Sequence, residues 1–188
     1  MRSNTDAEDS PMNAISFSAA ARTETLRFAS GSSWLGQVLV AVSGAGLAAV
    51  LLGDDDLKLR RELTSVFPDA RFENDEAGLG EILAAVIVFL EAPGRGLAVP
   101  LDLRGDARQL AVWQALRAIP AGETTTYGQI AKTLPVPATA QEVGAACAAN
   151  VLAVAVPCHR VVKADGSLSG YRWGVWRKKK LINREAVA

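Results

Sequence analysis

The chain has 188 residues, of which 49% are apolar, and its 20 lysines and arginines balance 20 aspartates and glutamates. This length holds one medium domain or two small ones, and the apolar content is enough to build a core, so we expect a folded globular protein. The most apolar stretch, residues 37–52, includes Ser43, Gly44 and Gly46 and falls short of the roughly 20 apolar residues that span a bilayer. It therefore predicts buried strands, and a membrane is not an expected partner.

Residues 1–22 are rich in Ser, Ala, Asn and Asp without hydrophobic periodicity, which predicts a flexible tail. They resemble neither a secretory signal nor a transit peptide, so we expect a cytoplasmic protein. The chain has only Cys147, Cys158 and one histidine, which cannot complete a four-ligand zinc site without several carboxylates. We therefore predict no metal, and no disulfide in a reducing compartment.

Charge is divided unevenly along the chain. Residues 1–103 carry 8 basic and 15 acidic side chains, whereas residues 104–188 carry 12 basic and 5 acidic ones. This asymmetry predicts two modules, 23–103 and 104–188, with the surface for a polyanion on the second.

The first module alternates strand-like and helical patterns. Short apolar runs predict strands over 25–29, 36–42, 47–52 and 101–103. The second and third of these are joined by Ser-Gly-Ala-Gly, which is typical of a hairpin. Helical periodicity predicts helices over 55–66 and 77–90. The result is a small α/β or α+β layer without a motif that indicates chemistry.

The second module is predicted to be helical, because it contains three capping-box patterns. In each, a short polar side chain caps a helix whose third residue reaches back to it. The patterns are Asp106 to Gln109, Thr126 to Gln129 and Thr139 to Glu142. They predict helices over 107–119, 127–134 and 140–149. The last two are consistent with a DNA-binding helix-turn-helix and also with a helical hairpin that binds no DNA.

The helix over 140–149 consists largely of alanine and glycine. Small side chains let a helix backbone come close to its partner, which is either another helix or a sugar-phosphate groove. The pattern alone does not separate these two interpretations.

The apolar run 151–162 encloses the tetrad Pro157 to Arg160, which reads PCHR. A thiol becomes a good nucleophile as a thiolate, which a nearby histidine or arginine favours. Neighbours on an extended strand point to opposite faces, so contact between Cys158 and His159 requires a bent backbone or a bridging water. The alternative is an inert buried cysteine beside a solvated histidine.

Glu185 is a candidate partner for the histidine. In a predicted helix over 174–186 it follows Leu181 and Ile182 by four and three residues, so it lies beside the apolar face. A carboxylate in that position can orient an imidazole for proton transfer. The alternative is a solvated glutamate near the end of the chain.

The segment PCHRVV closely resembles the O6-alkylguanine-DNA alkyltransferases, and in particular the C-terminal part of the bacterial adaptive-response proteins of the Ada type. Ala148-Ala-Asn150 upstream and Leu168 to Gly174 downstream carry the same resemblance, which extends over about 25–186. It implies a ribonuclease-H-like α/β domain followed by a mainly α, winged-helix-like domain whose helix-turn-helix enters the DNA minor groove.

The resemblance also implies the activity: one irreversible transfer of an alkyl group from O6 of guanine in duplex DNA to the protein. The damaged nucleotide is flipped out of the duplex into a pocket. O4 of thymine is a further possible substrate, and the mechanism needs no cofactor. We expect a monomer with double-stranded DNA as its partner.

Five catalytic positions carry over from the family. Cys158 is expected to accept the alkyl group, His159 to act as its water-linked base and Glu185 to orient that base. Asn150 is expected to brace the site by hydrogen bonds. The hydroxyl of Tyr127 is expected to assist rotation of the phosphate and protonation of the leaving guanine.

Substrate and DNA contacts carry over in the same way. The backbone carbonyls of Cys158 and Val161 are expected to read the exocyclic amine of the base, and Tyr171 and Arg172 to belong to the loop that closes over it. The expected DNA contacts are Thr126, Tyr127, Ala140, Gln141, Gly144 and Arg160.

The sequence departs from the family at the base-flipping position. The family places an arginine on the recognition helix, where this chain has Gln141 followed by Glu142. Glutamine lacks the permanent charge and planar guanidinium of arginine. We therefore expect weaker DNA binding and slower extrusion of the base, with the chemistry intact.

Two other functions compete with alkyl transfer. Alkyltransferase-like proteins bind lesions without repairing them, but they lack the acceptor cysteine that this chain has at position 158. A cysteine hydrolase would use Cys158 and His159, but no oxyanion-hole signature is present. Full adaptive-response proteins also carry a zinc domain and an activator helix-turn-helix that have no counterpart in this sequence, so a transcriptional role is not expected.

Overall fold

A computed structural model describes residues 23–187, and the flexible tail predicted for residues 1–22 lies outside this range. A four-stranded sheet opens the described part, with strand order β3-β2-β1-β4. Its first three strands are antiparallel neighbours, and β4 pairs parallel to β1. The strands are β1 (Thr25–Ser33), β2 (Gly36–Ser43), β3 (Gly46–Gly53) and β4 (Arg71–Asn74).

The two most apolar strands, β2 and β3, are covered on both faces. Every residue of 38–43 and 47–52 is buried, which explains why both runs are continuously apolar instead of alternating. Helix α1 (Asp56–Val66) packs on β2 and β3, and helix α2 (Gly80–Glu91) packs on β1 and β2. The predicted hairpin between β2 and β3 is confirmed.

Three details of this half differ from the sequence-based expectations. The predicted strand over 101–103 is wrong: only Leu101 forms a bridge, to Leu47, because β3 pairs further along, at Val50, with the segment around Leu152. Helix α2 begins three residues late, since Asp75 accepts a hydrogen bond from Gly78 N in a preceding turn. Strand β4 was not predicted because its four residues are mostly exposed.

The second half is helical and begins where its caps predict. Each of the three capping boxes has both of its hydrogen bonds. The helices are α3 (Ala107–Arg117), α4 (Tyr127–Thr133), α5 (Ala140–Ala149) and α6 (Val175–Glu185). Their starts lie within one residue of the expected positions, while α3 ends two residues early. Two short parallel strands, β5 (Thr125–Thr126) and β6 (Val161–Val162), were not predicted.

The two halves share one contiguous cluster of buried apolar residues. The backbone also joins them, because Val50 of β3 donates from its N to Val151 O at 2.9 Å and accepts from Ala153 N at 3.0 Å. The segment that leads to Cys158 is thus hydrogen-bonded along the edge of the first half's sheet. No helix within 23–187 is long and apolar enough to cross a membrane.

Arg177 on α6 is a buried link between the halves, with 4% of its surface exposed. Its Nε donates to Leu35 O at 2.8 Å and its Nη1 to Trp173 O at 2.8 Å. Its Nη2 pairs with the Asp54 carboxylate. The guanidinium therefore satisfies two backbone carbonyls in the core.

Arg177→Met should lower the free energy of unfolding by about 3 kcal/mol, because each buried carbonyl left without a donor costs about 1–3 kcal/mol. Arg27→Met is the matched control, since Arg27 forms a half-exposed pair with Asp75 of a kind that contributes less than about 1 kcal/mol. Urea denaturation measures both. Equal losses for the two variants would contradict this role of Arg177.

Candidate active site

A pocket of about 340 Å³ opens between α4, α5 and the loop that precedes α6. A volume of this size suits a small organic group. Cys158 lies on its wall although only 4% of the residue is exposed. The lining residues are Tyr127, Gly144, Cys147, Ala148, Cys158, Gly170, Tyr171 and Arg172.

A tight turn delivers Cys158 to this pocket. Val154 has φ 65°, a conformation that is strained for a β-branched residue and costs about 1–3 kcal/mol. Hydrogen bonds from Ala155 N to Ala153 O and from Val156 N to Leu152 O hold the turn. Residues Cys158–Arg160 then form a 3₁₀ turn. The tetrad is therefore bent, which is one of the two possibilities that the sequence left open.

Asn150 stands at the C-terminal end of α5 and braces this turn with four side-chain hydrogen bonds, the longest of them from its Nδ2 to Leu152 O at 3.4 Å. Its Oδ1 accepts from Leu152 N at 2.8 Å. Its Nδ2 donates to Val156 O at 2.9 Å and to Cys158 Sγ at 3.3 Å. One buried amide thus fixes the backbone on the approach to Cys158 and contacts the sulfur itself.

Glu185 of α6 binds both residues that follow the cysteine. Its Oε1 lies 2.8 Å from His159 Nε2 and 2.9 Å from Arg160 Nη2, and its Oε2 accepts from Arg160 Nε at 2.9 Å. All three side chains are buried. The carboxylate proposed as a partner for the histidine is therefore in contact with it, and Arg160 is an additional partner that the sequence did not reveal.

The charge state of this cluster follows from its contacts. Burial alone would raise the pKa of Glu185, but hydrogen bonds from His159 and Arg160 outweigh it and hold that pKa at about 2. An ionised carboxylate only accepts, so His159 Nε2 carries the proton and Nδ1 is an acceptor. Burial lowers the pKa of His159, and this effect outweighs the opposing effect of Glu185. The imidazole is therefore neutral. Within residues 23–187, Nδ1 has no hydrogen-bond partner.

Cys158 is a thiol at rest. Burial raises its pKa, although the hydrogen bond from Asn150 and the charge of Lys178 act in the opposite direction. Burial also raises the pKa of Cys147, the second thiol of the pocket, to about 12. Reaction at Cys158 therefore requires a base that removes its proton, and His159 Nδ1 is an unprotonated acceptor on the next residue.

A polar chain runs from Tyr127 through Ser169 to Lys178. The hydroxyls of Tyr127 and Ser169 are hydrogen-bonded, and Lys178 Nζ donates to Ser169 Oγ at 2.9 Å. Lys178 is fully buried, and burial lowers its pKa. It was not among the expected site residues, although Lys178 precedes Leu181 and Glu185 by three and seven residues. That spacing places it on the buried face of α6.

Tyr171 and Arg172, in the loop that precedes α6, form one wall of the pocket. The Tyr171 ring makes edge contacts with His159 and Trp173, at centroid distances of 6.4 and 5.2 Å. Arg172 Nε binds Glu62 Oε1 at 2.8 Å and its Nη1 binds Ala148 O at 3.1 Å. Since Glu62 belongs to α1, this wall is tied to the first half of the chain.

The predicted DNA-contacting residues of α4 and α5 lie around the mouth of the pocket. Thr126 caps α4, and Tyr127 and Gly144 line the pocket itself. Ala140 and Gln141 are exposed in the first turn of α5. Further along α5, Ala145 and Ala148 are also exposed, so that Gln141 heads a stripe of small side chains with helical spacing.

Two of the predicted contact residues, Arg160 and Val161, are buried. Arg160 is only 6% exposed, and its guanidinium is occupied by Glu185 and by Ile119 O. Three of its five N–H groups are bonded within this buried cluster, and the predicted contact of Arg160 with DNA stays a prediction. Val161 has a buried side chain, and its N–H donates to Cys158 O.

Comparison with known proteins identifies the class. Residues 107–187 match the family model described as 6-O-methylguanine DNA methyltransferase, DNA binding domain. The bifunctional transcriptional activator/DNA repair enzyme Ada of Escherichia coli is 46% identical over 175 residues, covering 93% of this chain and 49% of that protein. The inducible methylated-DNA–protein-cysteine methyltransferase of Bacillus subtilis is 40% identical, covering 65% of this chain and 68% of that protein.

Solved structures agree with these relatives. The O6-methylguanine methyltransferase of Mycobacterium tuberculosis superposes with a TM-score of 0.67 at 32% identity, covering 86% of this chain and 93% of that one. The chain thus belongs to the methylated-DNA–protein-cysteine methyltransferase family. It spans about half the length of the Ada proteins that it matches.

The cluster around Glu185 predicts a specific dependence of stability on pH. The pKa of Glu185 is about 2 in the folded chain against an ordinary 4.5. Its ionised form therefore stabilises the fold above about pH 4.5, and this contribution is lost as the pH falls towards 2. In Glu185→Gln, the free energy of unfolding should fall less steeply across that range. Urea denaturation at a series of pH values measures the difference.

Glu81→Gln removes one exposed carboxylate from α2 and is the matched control for the loss of a charge. Parallel pH profiles for the wild type and Glu185→Gln would show that the carboxylate is not held in its ionised form by His159 and Arg160.

Proposed function

We propose that the protein repairs alkylated DNA directly, by transferring a methyl or other alkyl group from O6 of guanine to Cys158 once per molecule. The observation that carries this proposal is the position of Cys158, on the wall of an open pocket and held by Asn150 beside a neutral imidazole that Glu185 orients. The names of the relatives support it. A structure of the Mycobacterium tuberculosis relative, with a TM-score of 0.66, is a complex with DNA.

The chemistry follows from the resting charge states. The Cys158 proton passes through a bridging water to His159 Nδ1, and Glu185 stabilises the imidazolium that forms. The sulfur attacks the alkyl carbon, an S–C bond forms as the C–O6 bond breaks, and the electron pair of that bond leaves with guanine. Tyr127 donates a proton to the leaving base and regains one from Lys178 through the hydroxyl of Ser169. The thioether product is not displaced by water, so each chain reacts once.

Access to Cys158 requires the base to leave the duplex. A sulfur that is almost wholly buried behind α5 cannot reach a base within the helical stack, so the nucleotide is rotated into the pocket. The exposed small residues of α5 let the helix backbone approach the minor groove. Tyr171 and Arg172 close over the base, and the carbonyls of Cys158 and Val161 accept from its exocyclic amine. Double-stranded DNA with an alkylated guanine is the partner.

The finer fold assignment belongs to the same proposal. We divide the chain into a ribonuclease-H-like domain at 23–103 and a winged-helix-like domain at 104–188. Three antiparallel strands joined by a parallel β4 support the first assignment, and the small β5–β6 ladder beside α3, α4 and α5 supports the second. A cytoplasmic location remains a prediction from the sequence.

Incubation with a duplex that contains O6-methylguanine should raise the mass of the intact protein by one methyl group. Cys158→Ala should gain nothing, because it has no acceptor sulfur. Cys147→Ala is the matched control: it removes the other thiol of the same pocket, and it should gain the full methyl mass. Mass spectrometry of the intact chain measures all three.

Each contrary result has a definite meaning. An unchanged mass in the wild type together with a shift of the duplex on a gel would indicate lesion binding without repair. A methyl group on the Cys147 side chain would show that Cys147 is the acceptor and that the assignment of Cys158 is wrong.

Gln141→Arg should speed methyl transfer from duplex DNA on the order of 10-fold, a gain of about 1.4 kcal/mol. The guanidinium adds a permanent positive charge and a planar group that fills the gap left by the base. Single-turnover kinetics at limiting protein measure the rate. Transfer from free O6-methylguanine base, which needs no flipping, should stay the same, and an unchanged rate on duplex DNA would contradict the assigned role of position 141.

A further inference from the structure

Arg108 of α3 and Glu142 of α5 form an ion pair beside the exposed Gln141. The pair joins the first turns of two helices, and 48% of the Arg108 side chain is exposed. These residues lie at the head of the stripe of small side chains that leads along α5 to the pocket. Neither helix needs the contact to form, since each already has a complete capping box.

Arg108 occupies an unusual position for a cation. It is the second residue of α3, where the positive end of the helix dipole disfavours a positive side chain. Only its Nη1 is bonded within residues 23–187, so Nε and Nη2 keep their donors for another acceptor. An exposed arginine with four of its five N–H groups unused is suited to bind a phosphate.

Glu142 explains how the arginine is held there. Its Oε2 accepts from Thr139 N at 2.7 Å and from Thr139 Oγ1 at 3.0 Å, which completes the cap of α5. Its Oε1 faces Arg108. A carboxylate next to Gln141 would repel DNA phosphates, and the guanidinium of Arg108 offsets that charge while its Nε and Nη2 stay unbonded.

We propose that Arg108 contacts a DNA phosphate and supplies, from α3, the positive charge that Gln141 does not bring to α5, with Glu142 as its positioning residue. This inference rests on the proposed DNA repair function. Arg108 on α3 thus compensates for the arginine that is replaced by Gln141 on α5.

The competing interpretation is a surface ion pair that only ties α3 to α5. Such pairs contribute about 0–1 kcal/mol to stability and do not change how binding depends on salt. A phosphate contact does, because each neutralised phosphate of B-DNA releases counterions and adds about 0.9 to the slope of log affinity against log salt. The salt slope therefore separates the two interpretations.

The test measures binding of the full chain to a short undamaged duplex over a series of salt concentrations. Arg108→Gln should reduce the magnitude of the slope by about 0.9 and weaken binding several-fold at low salt. Arg108→Lys keeps the charge and should keep the slope. Arg27→Gln is the matched control, because Arg27 forms a similarly exposed ion pair on the sheet, away from α3, α4 and α5. Adding Gln141→Arg to Arg108→Gln should restore the slope.

An unchanged slope in Arg108→Gln would overturn the proposal, as would an equal loss in Arg27→Gln. The mass measurement keeps this failure separate from failure of the repair function. At saturating O6-methylguanine duplex, Arg108→Gln should still gain one methyl group, because its Cys158 is untouched. If the wild type gained no methyl group, the repair function itself would be wrong. If the wild type gained the methyl group and the slope of Arg108→Gln equalled that of the wild type, only the proposed role of Arg108 would be wrong.

Discussion

The carboxylate of Glu185 is the contact on which the candidate site depends. It accepts hydrogen bonds from both His159 and Arg160, and it thereby ties the 3₁₀ turn of the loop to the last helix. The same contact leaves Nδ1 of His159 free of a proton. Without this one acceptor, two buried donors would lose their partner and the imidazole would have no preferred tautomer. The position of the His159 imidazole, its tautomer and its capacity to accept a proton at Nδ1 thus all depend on the contact with Glu185.

The Cys158 sulfur and the imidazole beside it are both uncharged at rest. Burial keeps the sulfur protonated and the imidazole neutral, while the Glu185 carboxylate is paired with Arg160. A thiol held in this state is protected from unselective reaction with oxidants and electrophiles, which attack thiolates. The proposed transfer therefore depends on the geometry of Cys158 and His159 and not on a resting thiolate.

What could be predicted from the sequence depended on how far apart along the chain the interacting residues lie. Capping boxes are local, and all three located the helix starts correctly. Continuous apolar runs identified β2 and β3 because both faces of these strands are buried. The ion pair between Arg160 and Glu185 joins distant parts of the chain, and no nearby residues signal it, whereas the spacing of Lys178 from Leu181 on α6 did signal that Lys178 is buried. The bend at the tetrad was one of two possibilities that the sequence left open, and the turn before it is held by pairing with β3.

The backbone pairing of Val50 with the segment around Leu152 has a consequence for the cooperativity of the molecule. The edge of one half's sheet is completed by a strand-like segment of the other, so neither half can unfold without leaving N–H and C=O groups of its neighbour unpaired in an apolar interior. The two halves should therefore melt in a single transition, with the reactive loop among the last parts to open. A loop of this kind is part of the core of the protein, unlike the mobile surface loops that commonly carry functional residues.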